Sequence, residues 1–223
     1  MTYNFDFGPV WQSMDQLLWG ACLTVKLTSI SCLFGFLIAI LCVFVRMRGG
    51  RIGTTLVSFY VEIIRNTPLL VQLFFIFFGL PSLGIRLDPT YAALVAMTAN
   101  VGAYAAEILR AGVESIPRGQ SEAGFALGLS EVQIFRKIVL PPAVRAVYPA
   151  LSSQFIMLLL GSSVVSAISA NDLTAVANTI QSQNLRSFEV YFTVIGLYLA
   201  MSILFRLAFG AIYSSIYERK GHW

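Results

Sequence analysis

The stretch Gln120-Ser-Glu-Ala-Gly-Phe-Ala-Leu-Gly-Leu-Ser-Glu-Val-Gln-Ile-Phe-Arg-Lys-Ile-Val-Leu-Pro-Pro142 decides how the rest of the chain is read. It lies between hydrophobic spans, yet its own pattern is helical, and it carries Arg136 and Lys137 where a cytoplasmic loop is basic. Gly128 is a helix stop, and Ser130 followed three residues on by Gln133 is a capping-box signature for a second short helix. The spacing predicts helix, sharp bend, helix. In the first half Ala123, Gly124, Ala126 and Gly128 keep the surface low enough for another backbone to approach. In the second, Val132, Phe135 and Ile138 fall at i, i+3, i+6 and predict an apolar ridge suited to a groove on a partner.

The surrounding composition is that of a membrane protein. The chain has 223 residues, 57% hydrophobic and 12% charged, with a mean hydropathy of +0.75; a soluble domain carries about a quarter charged residues. The net charge of +4 is dispersed between apolar spans, which points to membrane topology and away from a nucleic-acid-binding face. No Lys or Arg precedes Lys26, so a removable signal peptide is not expected and the first span stays as an anchor. Cys22, Cys32 and Cys42 all fall in that span, odd in number and without metal-ligand spacing, and read as membrane-buried thiols.

Five spans are expected, at 17–45, 56–80, 91–111, 146–168 and 190–212, forming one all-α membrane domain, with a long loop over 114–145. Residues 1–15, with Asp6, Trp11 and Asp15 but no cation, suit an outer interfacial anchor. Pro68 is expected to kink the second span, and the Ala- and Gly-rich third span to pack by close backbone approach. The fourth span is placed after Arg145 and Pro149, and Asn171–Ser187 is read as an external amphipathic segment. Arg46, Arg48, Arg51, Arg118, Arg136, Lys137, Arg145, Arg219 and Lys220 fall on one side, with Gly49 and Gly50 in the first basic turn and Glu218 in the last. Only Arg86 and Arg186 fall on the other side, so the N-terminus is expected outside and the C-terminus in the cytoplasm.

Chemistry of other kinds finds no footing in the sequence. It contains no Gly-x-x-x-x-Gly-Lys-Ser/Thr phosphate loop, so ATP binding by this polypeptide is not expected. His222 is the only histidine, and no nucleophile triad, metal-ligand set or cofactor motif can be assembled around it.

Glu122-Ala123-Gly124, then Gly128, then after nine residues Ile138, Leu140 and Pro141 resembles the EAA loop of the permease subunits of bacterial ABC importers, Glu-Ala-Ala-x-x-x-Gly followed by Ile-x-Leu-Pro. Gly124 stands where Ala is usual, a change that loosens a helix by about 1 kcal/mol. Arg65-Asn66-Thr67-Pro68-Leu69-Leu70, Ala105-Ala106-Glu107-Ile108-Leu109-Arg110-Ala111-Gly112, Pro117-Arg118-Gly119-Gln120 and Asn171-Asp172-Leu173-Thr174 are similar to segments of the polar-amino-acid branch. The resemblance implies a type I importer fold in the bacterial inner membrane. Two permease subunits, identical or homologous, would face each other above an ATPase dimer, and a periplasmic binding protein would deliver a polar amino acid. A secondary transporter or channel for small solutes is the alternative reading of a polytopic helical chain.

The resemblance makes Glu122, Ala123, Gly124, Gly128, Phe135, Leu140 and Pro141 the ATPase-coupling residues. Glu122 then meets a basic residue on the ATPase, or is a solvated charge at a helix start. Asn100, Tyr104, Gln154 and Ser162 are the candidate substrate path, although amides and hydroxyls in spans also serve as interhelical glue. Glu62 with Arg65 and Glu107 with Arg110 are i, i+3 pairs that act as gate charges or neutralise each other in packing. Asp172 is a contact for the binding protein or a surface cap.

Overall fold

The computed structural model describes residues 4–48 and 50–217. Gly49, Glu218, Arg219, Lys220 and His222 lie outside them. An apolar chain with no water at its flanks must close its peptide hydrogen bonds within itself, and this one does so along helices. In chain order these are α1 (Gly8–Gln12), α2 (Met14–Arg48), α3 (Gly50–Arg65) and α4 (Leu69–Phe74). A π-helical turn Phe75–Gly79 and a 3-10 turn Leu80–Leu83 prolong α4. Then come α5 (Pro89–Glu114), α6 (Arg118–Ala126), α7 (Glu131–Ile134) and α8 (Leu140–Gly161), with a π turn Phe135–Val139 joining α7 to α8. A 3-10 stretch Ser162–Ile168 follows α8, and α9 (Leu173–Asn184) and α10 (Ser187–Tyr217) complete the order. Four helical stretches are long and apolar enough to cross a membrane, Met14–Arg46, Pro89–Glu114, Glu131–Ile168 and Ser187–Ser215; the pair α3 and α4, bent by 107°, makes a fifth if counted as one span.

At 26 residues α5 is about 39 Å long and is the helix around which the others gather. Ala92, Ala93, Ala96, Ala103, Ala105 and Ala106 are all buried along it. Its neighbours α2, α3, α4 and α8 come close because its surface is low. At Gly35 of α2 an added Cβ would lie 2.3 Å from Val101 Cγ1 and 3.1 Å from the Thr98 carbonyl. At Gly102 it would lie 2.9 Å from the hydroxyl of Tyr60, which itself donates to the Ala99 carbonyl at 2.6 Å. Three helices therefore meet at one height. Further along, Gly112 gives the same passage to α8, where an added Cβ would sit 2.0 Å from Val147 Cγ1.

The second span departs from expectation. It is two helices with a break at Asn66–Pro68, beginning at Gly50. Pro68 sits outside both, in an extended conformation at φ −64°, ψ 142° as the residue that caps α4, and as a proline it also disfavours the helical region for Thr67 before it. The fourth span begins earlier than expected: α7, the π turn and α8 run on without interruption from Glu131, and Pro149 lies inside α8. Its missing N–H removes one bond from a helix already well started, and Pro141 and Pro142 leave two further positions without a donor just after the π turn.

Asn171–Ser187 is amphipathic, as expected, with one face buried against the bundle and the other exposed. α9 buries Leu173, Ala177 and Ile180, and it packs on α2 where a Cβ at Gly20 would be 3.1 Å from Leu173 Cα. Thr24 accepts from the Leu173 N–H at 2.9 Å. The N-terminal segment is fastened to the first turn of α10. The Asp6 N–H donates to Glu189 Oε1 at 3.0 Å, Arg186 donates to the Asn4 carbonyl at 2.9 Å, and Glu189 is fully buried.

Gly35→Ala is expected to destabilise the detergent-purified subunit by about 1–3 kcal/mol, because Val101 and the α5 backbone must give way. Gly210→Ala, where an added Cβ meets nothing within 4 Å, is expected to leave it unchanged. Thermal unfolding of the two variants side by side checks this, and equal midpoints would count against the packing account.

Candidate functional site

The bent segment is built by local rules that can be followed atom by atom. α6 ends at Ala126, and Gly128 takes φ +75°, a left-handed conformation that suits a residue without Cβ. The Gly128 N–H donates to the Phe125 carbonyl at 2.9 Å and the Leu129 N–H to the Gly124 carbonyl at 3.1 Å, the paired closure of a Schellman motif. Ser130 then caps α7: its N–H donates to Gln133 Oε1 at 2.9 Å while its Oγ accepts from the Gln133 N–H at 3.4 Å. The two helices fold onto each other at Gly124, where an added Cβ would lie 2.8 Å from both Ile134 Cγ1 and Ile138 Cδ1. Gly124 is thus the buried contact of the hairpin, and an alanine there would require both isoleucines to shift.

Of the residues singled out on this segment, Glu122, Ala123, Gly128, Leu140 and Pro141 are exposed, whereas Phe135 is half-buried. The expected ridge is split: Val132 is exposed, while Phe135 and Ile138 turn partly inward with Ile134. The apolar surface at the tip comes instead from Phe125 at 54% and Leu127 at 78% exposure. Sequence reasoning passed over both, although the position of Leu127 beside the helix stop was a signal. Beneath the tip a groove of about 610 Å³ runs between the end of α5 and α7, lined by Glu114, Arg118, Ser121, Phe125, Glu131 and Phe135 among others.

A second polar system runs down one face of α5. Asn100, Tyr104 and Glu107 fall at i, i+4, i+7. Asn100 is buried and donates to Gln72 Oε1 at 3.0 Å, and Tyr104 donates to the Arg65 carbonyl at 3.3 Å. The Arg65 guanidinium lies 5.6 Å from the centre of the Tyr104 ring and 3.7 Å from Glu107. Arg110 pairs with Glu107 at 2.5 Å and also with Glu114. The pairing expected between Glu62 and Arg65 is replaced by one across helices, because the break after Arg65 turns that side chain toward α5; among the described residues Glu62 makes no ion pair. Two arginines and two glutamates thus form one chain of neutralised charge.

Gln154 is half-buried on α8. Ser162 is fully buried and donates to the Leu159 carbonyl at 2.7 Å. Neither hydrogen-bonds to Asn100 or Tyr104 among the described residues. Gln72, which sequence reasoning left out, is the residue that Asn100 meets.

At the other end of the bundle Asp172 is 1% exposed and caps α9, its Oδ1 accepting from the Ala175 N–H at 2.8 Å and its Oδ2 from the Tyr198 hydroxyl at 3.3 Å. As an interior cap it cannot present its carboxylate to an outside protein. Burial pushes this carboxyl above the ordinary carboxylate range, against the opposing hydrogen bonds from the Ala175 and Thr174 backbone and from the Thr174 and Tyr198 hydroxyls.

The chain matches, over residues 31–218, the family described as binding-protein-dependent transport system inner membrane component. It is 38% identical over 187 residues to the L-cystine transport system permease protein TcyB of Bacillus subtilis (strain 168), covering 82% of this chain and 80% of that one. It is 36% identical over 203 residues to the glutamine transport system permease protein of Escherichia coli (strain K12), covering 90% and 93%. Among solved structures it is similar to an amino acid ABC transporter crystallised with histidines, with a TM-score of 0.89, 33% identity and coverage of 96% and 100%. It is also similar to an inward-facing MetNI methionine ABC transporter, with a TM-score of 0.75, 26% identity and coverage of 92% and 98%.

The raised Asp172 carboxyl gives a pH prediction. The folded state keeps a proton that the unfolded chain has released, so the stability from this group is complete below the unfolded carboxyl range and is lost as pH rises through the folded value. Asp172→Asn keeps the capping acceptor and is expected to remove that slope. Unfolding in detergent between about pH 4 and pH 7 should show the unmodified chain losing stability relative to the variant; parallel curves would refute the assignment.

Proposed function

The chain belongs to the family of binding-protein-dependent transport system inner membrane components, and from that premise we propose that it forms the membrane path for a polar amino acid and is driven through the bent segment over 118–139. As a member it is a multi-pass permease subunit of an amino-acid ABC importer in the inner membrane. A binding protein delivers the amino acid on the outer side, and a second permease subunit, identical or homologous, completes the path. ATP is split by a dimer of separate ATPase subunits. The N-terminus lies outside and the C-terminus in the cytoplasm, as the distribution of Lys and Arg supports.

The observation that carries this reading is the geometry of the tip. A Schellman closure and a capping box fix two helices against each other at Gly124, and leave Glu122 exposed beside Phe125 and Leu127. A carboxylate rimmed by apolar side chains on a rigid hairpin is suited to a basic, grooved partner. Closure of the ATPases pushes this hairpin. Because α7 continues without a break into α8, the push passes into a membrane span as rigid-body motion.

In proteoliposomes containing the whole assembly, amino-acid uptake is expected to stop when the ATPase subunit cannot hydrolyse ATP and to persist when the membrane potential is dissipated. The reverse pattern would support a secondary transporter. Glu122→Arg or Gly128→Val is expected to weaken ATPase association about tenfold, roughly 1.4 kcal/mol, with helical content unchanged. Unaltered association and uptake in both would remove the hairpin from the mechanism.

A further inference from the structure

The break in the second span is closed more completely than a kink requires. A helix end leaves its last four carbonyls without intrahelical donors, and in a membrane each must find one elsewhere. At the end of α3 the Glu62 carbonyl still accepts from the Asn66 N–H at 3.0 Å, and those of Ile63, Ile64 and Arg65 lie past this last backbone donor. Each is taken by a side chain: Asn66 Nδ2 donates to Glu62 at 2.8 Å, Thr67 Oγ1 to Ile63 at 2.8 Å, Gln72 Nε2 to Ile64 at 2.7 Å and the Tyr104 hydroxyl to Arg65 at 3.3 Å. Asn66 and Thr67 belong to the break, Gln72 to α4 and Tyr104 to α5.

Gln72 has a position in this set that the others lack. Its amide nitrogen also lies 2.9 Å from both the carbonyl and the hydroxyl of Thr67, and its oxygen accepts from Asn100 at 3.0 Å. One buried side chain therefore binds α3, the break, its own helix α4 and α5 together. We propose that Gln72 is the positioning residue that makes the break of the second span a fixed bend, so that α3, α4 and α5 move through the transport cycle as one body.

A flexible hinge would leave the carbonyls at the end of α3 unpaired, whereas here each of the four accepts a hydrogen bond, and the one at Ile64 is held by the buried Gln72. Asn100 and Tyr104 are accordingly arms of this clamp, one on each side of the bend. For its consequence in transport the inference rests on the importer reading above, but the rigidity of the bend is a property of this chain and is tested separately.

The experiment places spin labels at Leu56→Cys and Leu83→Cys, both at exposed positions on either side of the break, in a chain whose Cys22, Cys32 and Cys42 are replaced by serine. The distance between the labels is measured in the permease alone, in its assembly with the ATPase, and in that assembly trapped with ATP and vanadate. One narrow distance common to all three is expected. Gln72→Met, of similar shape without the amide, should lose that single distance, as should the milder Gln72→Asn. A shift between the apo and trapped assemblies in the unmodified chain would overturn the proposal, as would a narrow, unshifted distance in folded Gln72→Met, or in folded Gln72→Asn should the methionine variant not fold. Failure of the ATPase to associate at all would instead count against the importer reading and leave the measurement in the permease alone to decide the bend.

Discussion

Because hydrocarbon supplies no hydrophobic drive between helices, α5 holds its neighbours by letting their backbones come close enough for dispersion and hydrogen bonding to act. The contact at Gly35, Gly102 and Tyr60 shows the constraint at its tightest: α2, α3 and α5 share one narrow crossing, and a single added carbon has nowhere to go. The remaining architecture follows from it. With α2 and α3 fixed on α5, the break after Arg65 points α4 back along α5, and Gln72 reaches Asn100. With α8 fixed at Gly112, the long helix from Glu131 carries the hairpin at a set angle to the bundle.

Charge in the bundle is arranged by the same geometry. Arg65, Glu107, Arg110 and Glu114 are partly exposed in the isolated subunit, and single pairs of that kind contribute little to stability. Their value lies in direction. Arg65 comes from the end of α3 and the other three from the last turns of α5, so the chain of charges fixes how one helix end meets the other.

How much of this was legible in the sequence depends on how local each cause was. The bend at Gly128 and the capping box at Ser130 need only neighbouring residues, and both are present as read. The small-residue surface of α5 was legible as composition. What the sequence hid was relation across distance. Thr67-Pro68 reads as a kink or as a full break with equal ease, and the decision comes from Gln72 and Tyr104, whose roles exist only once α4 and α5 are packed. Arg65 stands three residues after Glu62 and 42 before Glu107, yet it pairs with the distant one. Asp172 reads as a surface cap because the helix it caps is polar; its burial exists only in the packed fold, where Tyr198 of α10 donates to it. Phe125 and Leu127 do not stand out in the sequence because they do not recur at helical spacing; the exposed pair flanks the turn instead.

The N-terminal strap has a consequence for the order in which the molecule is made. Asp6 and Glu189 stand 183 positions apart, and Arg186 reaches back to Asn4. A chain inserted in the order of its synthesis therefore cannot seat Asn4 and Asp6 until the start of α10 has been made. The carboxylate sealed in that joint has to wait for residues made 183 positions earlier to return to it, so the joint closes only after α2 to α10 have been placed.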